Sequence, residues 1–182
     1  MWKYIALFLV PTAALGNSHS LEVSGECKEG VPHGLYSAKS SDGVVRIEGR
    51  YDSGLKDGDF TFYTANSSKL IVLPYSKNLF HGTVNAWHPA DDTDGSNPVL
   101  KLSSEFEEGL IEGRYQTWYA TGVKRSDFTM VKGEIVKSET WNEDGTELAI
   151  SDVVGFMESD VEGDFQYYSL LESVVDSHSP QC

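Results

Sequence analysis

GLKDGDFTFY, residues 54–63, and GLIEGRYQTWY, residues 109–119, share one spelling: glycine, three residues, glycine, one residue, aromatic, then another aromatic close behind. That recurrence decides the fold. Aligning Gly34, Gly58, Gly82 and Gly113 gives steps of 24, 24 and 31, and aligning Gly30, Gly54, Asn78, Gly109 and Gly133 gives 24, 24, 31 and 24. The excess in the third unit falls in HPADDTDGSNP, 88–98, which reads as a lengthened polar turn. A constant period interrupted once is the signature of a repeat array.

Within a unit the apolar residues alternate with period two. Tyr36, then Phe60 and Phe62, then Val84, then Tyr115 follow the second glycine, and the returning segments carry Ile47 and Tyr51, Ile71 and Tyr75, Leu102 and Phe106. Pairs four apart lie on one face of a strand. Each unit is therefore two short strands, with tips such as SSDGV, TANSSK, ATGVK and NEDGT at one end and the Gly-x-x-x-Gly segment making the reverse connection. Gly58 and Gly113 are expected where a side chain would clash. The predicted fold is all-β, a meander of about five antiparallel hairpins over residues 17–148. Residues 149–182 break the period, and Tyr168, Leu171 and Val175 fall at helical spacing, so the tail reads as a short cap with an acidic helix.

The repeat resembles the variant MORN repeat family, which includes the YwqK-type antitoxins. The resemblance is carried by EGVPHGLY, SGLKDGDFTFY, KNLFHGTVNAW, EGLIEGRYQTWY and VKGEIVKSETW, over about residues 25–148. Asn78 stands for the first glycine of the third unit, and Lys137 for the second glycine of the fifth, where a distorted unit is expected. The resemblance implies a scaffold or binding surface, and an antitoxin-like inhibitor of a basic toxin as one alternative.

Residues 1–16 carry one cation, Lys3, an apolar run to about Leu15, and small residues Ala14 and Gly16 before Asn17. This reads as a secretory signal peptide, too short to cross ~30 Å of hydrocarbon, so the chain is expected to be exported. The formal net charge is −14 at pH 7. Such a charge repels nucleic acid and anionic membranes and suits a basic protein partner. Export makes a Cys27–Cys182 disulfide permissible, but an elongated array holds its ends apart, and Cα atoms more than ~7 Å apart cannot be bridged. The sequence leaves that pairing and a free or intermolecular Cys182 both open.

His33, Asp57, His81 and Glu112 share one column, but successive hairpins set them roughly 10 Å apart, too far for shared ligation. ADDTDGSN lacks the first and twelfth ligands of a calcium loop. No nucleophile elbow, phosphate loop or zinc motif occurs, so no enzyme, cofactor or metal site is expected. The aromatic columns Tyr36, Phe60, Tyr115 and Tyr63, Trp87, Trp118 are either core or a platform for a protein or a carbohydrate.

Overall fold

The computed structural model describes residues 21–89, 98–148 and 150–182, with 150–159 by backbone alone; the signal-peptide reading and the acidic stretch 90–97 lie outside these residues. Turn chemistry sets the architecture. Among the described residues, five consecutive pairs have positive φ: Glu29 and Gly30, Ser53 and Gly54, Lys77 and Asn78, Glu108 and Gly109, Lys132 and Gly133. Positive φ at both central positions is the type I′ turn, whose twist matches that of two paired strands. Asn78 adopts φ 69°, which asparagine tolerates. Its side-chain oxygen also accepts the Lys56 N–H at 2.6 Å, so this departure from glycine adds a hydrogen bond.

Between these turns lie β1 Glu22–Lys28, β2 Val31–Lys39, β3 Val45–Asp52, β4 Leu55–Lys56, β5 Gly58–Tyr63, β6 Lys69–Ser76, β7 Leu79–Phe80, β8 Gly82–Trp87, β9 Leu100–Glu107, β10 Leu110–Trp118, β11 Lys124–Val131 and β12 Glu134–Thr140. They form one antiparallel sheet in the order β1-β2-β3-β5-β6-β8-β9-β10-β11-β12, with β4 on β3 and β7 on β6. The all-β meander expected from the period is present. At the opposite tips Gly43, Ser67, Gly122 and Gly145 have φ of 83°, 65°, 82° and 83°. Their N–H groups donate to Ser40, Thr64, Tyr119 and Asn142, closing three-residue loops.

The turns are themselves laddered. Gly54 N–H donates to Pro32 O, Asn78 to Lys56 O, Gly109 to Phe80 O and Gly133 to Ile111 O, at 2.8, 2.9, 2.9 and 2.9 Å. Each unit thus docks on the one before it through its tightest turn.

The second glycine of each unit plays a different part from the one expected. The reverse connection is only two residues long, and Gly34, Gly58, Gly82 and Gly113 sit beyond it, at φ 89°, 94°, 113° and 101°. There the ladder slips, between Ile111 and Tyr115 for example, and β4 and β7 separate from β5 and β8. A Cβ at Gly113 would run into Glu105, whose carboxylate accepts the Arg114 N–H at 2.8 Å. The clash expected at Gly58 is absent, since none of the described residues apart from its chain neighbours lies within 4 Å of a Cβ built there; its positive φ is what calls for glycine. Gly58→Ala is expected to cost about 1 to 2 kcal/mol and Gly58→Asn less, measured by denaturant unfolding. Lys137 has no positive φ, but the pairing of β11 with β12 slips beside it, from Thr129 opposite Lys137 to Met130 opposite Ile135, so the fifth unit carries an irregularity there.

One face of the sheet is the core. Ala38, Ile47, Phe62, Ile71, Ala86 and Leu102 form one buried row, and Tyr36, Phe60, Leu73, Tyr115 and Phe128 lie beside it. The helix α1, Ile150–Ser177, covers this inner face. It extends well to the N-terminal side of the three residues whose spacing announced it, and it covers the face rather than the last edge. Its contacts run backwards through the array. Asp160 pairs with Arg125 of β11, Asp164 with Tyr115 of β10, Phe165 and Tyr168 with Phe106 of β9, and Glu172 with Tyr75 of β6 and Lys56 of β4. Asp176 also reaches Lys56, at 3.0 Å, and Pro180 lies over Gly25 of β1.

The chain end then meets its beginning. Cys27 and Cys182 form a disulfide with Cα atoms 5.8 Å apart. The argument that an elongated array keeps these cysteines apart fails because 28 helical residues span about 42 Å at ~1.5 Å each, close to the width of the strands that lie side by side from β1 to β12, with β4 and β7 off that path, at ~4.8 Å per step.

Candidate functional site

With the inner face covered, the opposite face of the sheet is the surface on offer. Strand pairing carries one row straight across it: Ser24, Ser37, Glu48, Thr61, Val72, Asn85, Ser103, Gln116, Asp127 and Glu139 are successive cross-strand partners. All but Val72 are polar, and neighbours lie ~4.5–5.5 Å apart.

Tyr63, Trp87 and Trp118 flank this row. Each follows a buried inner residue, Phe62, Ala86 and Thr117, and alternation turns it outward. All three are half-buried. Tyr63 donates its hydroxyl to Glu48 at 2.8 Å, which ties the aromatic column to the polar row. Trp141 follows the buried Thr140 and is also half-buried, making a further member of the column that the sequence reading passed over. The one-per-unit spacing from Trp118 would have revealed it. The column is braced from behind: His88 Nε2 lies 2.8 Å from Trp118 O, and the Tyr119 hydroxyl donates to Trp141 O at 2.9 Å.

The other expected column belongs to the core. Tyr36, Phe60 and Tyr115 are 2%, 0% and 0% exposed on the inner face, so they form no platform.

No family model and no curated protein matches the chain. The site is therefore read from its own residues.

Near Trp118 the outer face holds a charge cluster. Asp127 is buried, and Arg114, Lys124 and Gln116 converge on it, the last two at 2.8 Å. Burial pushes its carboxyl up, but these hydrogen bonds outweigh burial and hold it at about 2. That stabilises the fold by about 2 kcal/mol, present above the usual carboxylate range near pH 4 and lost as pH falls through about 2.

Beneath the helix the sign is reversed. Burial raises the carboxyl of Asp164, with Tyr115 and Lys101 opposing and Asp160 reinforcing, and burial likewise raises that of Asp160 against the pull of Arg125. A raised folded pKa means the folded chain holds the proton more tightly, so stability is gained as pH falls through the raised value and is complete below the unfolded one. The melting midpoint is expected to rise from neutral to mildly acid pH, and Asp164→Asn should flatten that rise while raising the neutral-pH midpoint. A midpoint that falls over the same range in both proteins would contradict this.

Of the column His33, Asp57, His81 and Glu112, the first and last members have structural work. His33 Nδ1 accepts the Ser53 N–H at 3.3 Å and Glu112 accepts the Lys132 N–H at 2.6 Å. These residues receive the first N–H of the next tight turn. Among the described residues, no three His, Cys, Asp or Glu side chains come together as a metal-ion group.

Proposed function

We propose that the chain is an exported, non-catalytic repeat protein that binds another protein along the outer face of its sheet. One observation carries this reading: α1 occupies the inner face, and the outer face presents Tyr63, Trp87 and Trp118, one per unit, beside a continuous polar row. Rings two strands apart are ~10 Å apart, a spacing that suits an extended segment better than a compact ligand. The net charge of −14 favours a basic partner, and the resemblance to the variant MORN repeats makes an antitoxin-like inhibitor of a basic toxin one form of this role. The disulfide accords with an oxidising compartment.

The test is capture from an extract of an oxidising compartment by the wild type and by a triple variant, Tyr63→Ala, Trp87→Ala and Trp118→Ala. The expected result is a basic protein retained by the wild type and lost by the variant, with far-UV circular dichroism unchanged. Equal retention by both would remove the outer aromatics from the function. A second reading, carbohydrate binding, is favoured by the uncharged part of the polar row, Thr61, Asn85, Ser103 and Gln116, beside stacking rings. Retention on an insoluble polysaccharide, abolished by the same variant, would put it first.

A further inference from the structure

Helix α1 is held on the sheet by an interface of mixed quality. Its buried apolar side chains among the described residues are Tyr168, Leu171 and Val175, while Phe165 and Leu170 remain 37% and 52% exposed. Val161, Tyr167 and Val174 pack against the core half-buried, and Phe165 meets Phe106; the rest of its contacts are polar. Asp160, Asp164, Glu172 and Asp176, at multiples of four along one helix face, meet Arg125, Tyr115, Tyr75 and Lys56. Asp160, Asp164 and Glu172 are half-buried, where desolvation offsets the attraction, and Asp176 is exposed, where water screens it, so neither kind of pair contributes much net stability. The hydroxyls of Tyr36 and Tyr168 are buried with no hydrogen-bond partner among the described residues, a further cost of covering the face. The strands do not need the helix for their hydrogen bonds, which run from strand to strand and from turn to turn.

One covalent bond closes this interface at its far end, and it is accessible. Cys27 and Cys182 are both exposed, and a cleft of about 560 Å³, lined in part by Gly30, Tyr51, Lys56 and Asp176, opens beside Cys182. While the bond is intact, a helix leaving the sheet stays tethered at both ends and gains little freedom. Once it is cut, the helix and tail are tethered only through residues 141–149.

We propose that the Cys27–Cys182 disulfide is a redox latch whose reduction releases α1 and uncovers the inner aromatic face. The chemistry is thiol–disulfide exchange with an external dithiol. Its thiolate attacks one sulfur and expels the other as a thiolate, and its second thiolate resolves the mixed disulfide. Two electrons pass to the bond, Cys27 and Cys182 take up protons as thiols, and the dithiol leaves as its own disulfide. The surface released includes Tyr51, Phe60, Tyr75 and Phe106, which meet edge-on or tilted in a continuous run through Phe80. An apolar surface of that extent, once exposed, is an interaction surface.

Hydrogen exchange of the full chain, with and without dithiothreitol, tests the latch, and Cys182→Ser repeats the reduced state without reductant. On reduction, peptides from residues 160–177 are expected to exchange at least tenfold faster and to become at least tenfold faster than those of β5 to β10, with binding of an apolar dye rising in parallel. Reoxidation should restore both. Helix exchange unchanged by reduction would show that the bond latches nothing. Helix and strands exchanging at one common rate would show that it staples the whole fold, and either result overturns the proposal.

Discussion

Phe60→Ala is expected to destabilise the chain by about 3 to 5 kcal/mol, the range for a large buried aromatic. Phe60 is fully buried at the middle of the inner face. Its ring meets Tyr36, Tyr51 and Tyr75 at centroid separations of 5.9, 5.4 and 5.4 Å, so truncation opens a cavity shared by four strands and removes one ring contact from each of three tyrosines. For a chain of this size that corresponds to a fall of roughly 6–20 °C in the melting midpoint. Trp87→Ala, made for comparison on the half-buried outer column, should cost less than half as much. Equal losses from the two would mean that the sheet buries both faces alike, and the distinction between core and candidate surface would collapse.

The second large effect is predicted at Gly49, a residue outside the repeat motif. It pairs with Tyr36 across β2 and β3, and a Cβ built there would sit 2.5 to 2.7 Å from three atoms of the Phe60 ring. Its φ is not positive, so the requirement is space and not conformation. Gly49→Val is expected to cost about 2 to 3 kcal/mol through overpacking, read as a shift in the denaturant midpoint. The double variant with Phe60→Ala should lose much less than the sum, because the smaller residue removes the obstruction. Additive losses would mean that Gly49 and Phe60 do not share the space assigned to them.

Gly49 also shows which parts of the fold were legible. The tight turns were plain in the sequence because their cause is local: residues 29–30, 53–54, 77–78, 108–109 and 132–133 need positive φ, and glycine or asparagine at fixed spacing announces it. Strand alternation was legible for the same reason. Gly49 and Gly25 carry no such mark, since the atoms that demand a glycine there belong to Phe60 and Pro180. Their cause lies in another strand and in the tail.

The helix was half legible. Tyr168, Leu171 and Val175 announced an apolar stripe, but Asp160, Asp164, Glu172 and Asp176 read as a solvated face when their partners, one from each of several strands, are unknown. Without those partners the direction of the helix is hidden, and with it the pairing of Cys27 with Cys182. The candidate surface was legible as residues and not as a surface. Periodicity found Tyr63, Trp87 and Trp118 together with Tyr36, Phe60 and Tyr115, but only the position of α1 separates an outward column from a buried one.

The return of the helix to the first strand sets a length relation that most repeat arrays lack. A turn-to-turn ladder in which each unit docks on its predecessor can be extended without limit, since every new unit meets the same surface as the last. Here the two ends are joined, and α1 acts as a ruler laid along the sheet. Inserting one more 24-residue unit between β6 and β8 would move Cys27 about 10 Å from Cys182. Restoring the bond would then take about six or seven additional helical residues at ~1.5 Å each. Unit number and helix length are thereby locked together, so this chain can lengthen or shorten its outer face only by changing two distant segments at once.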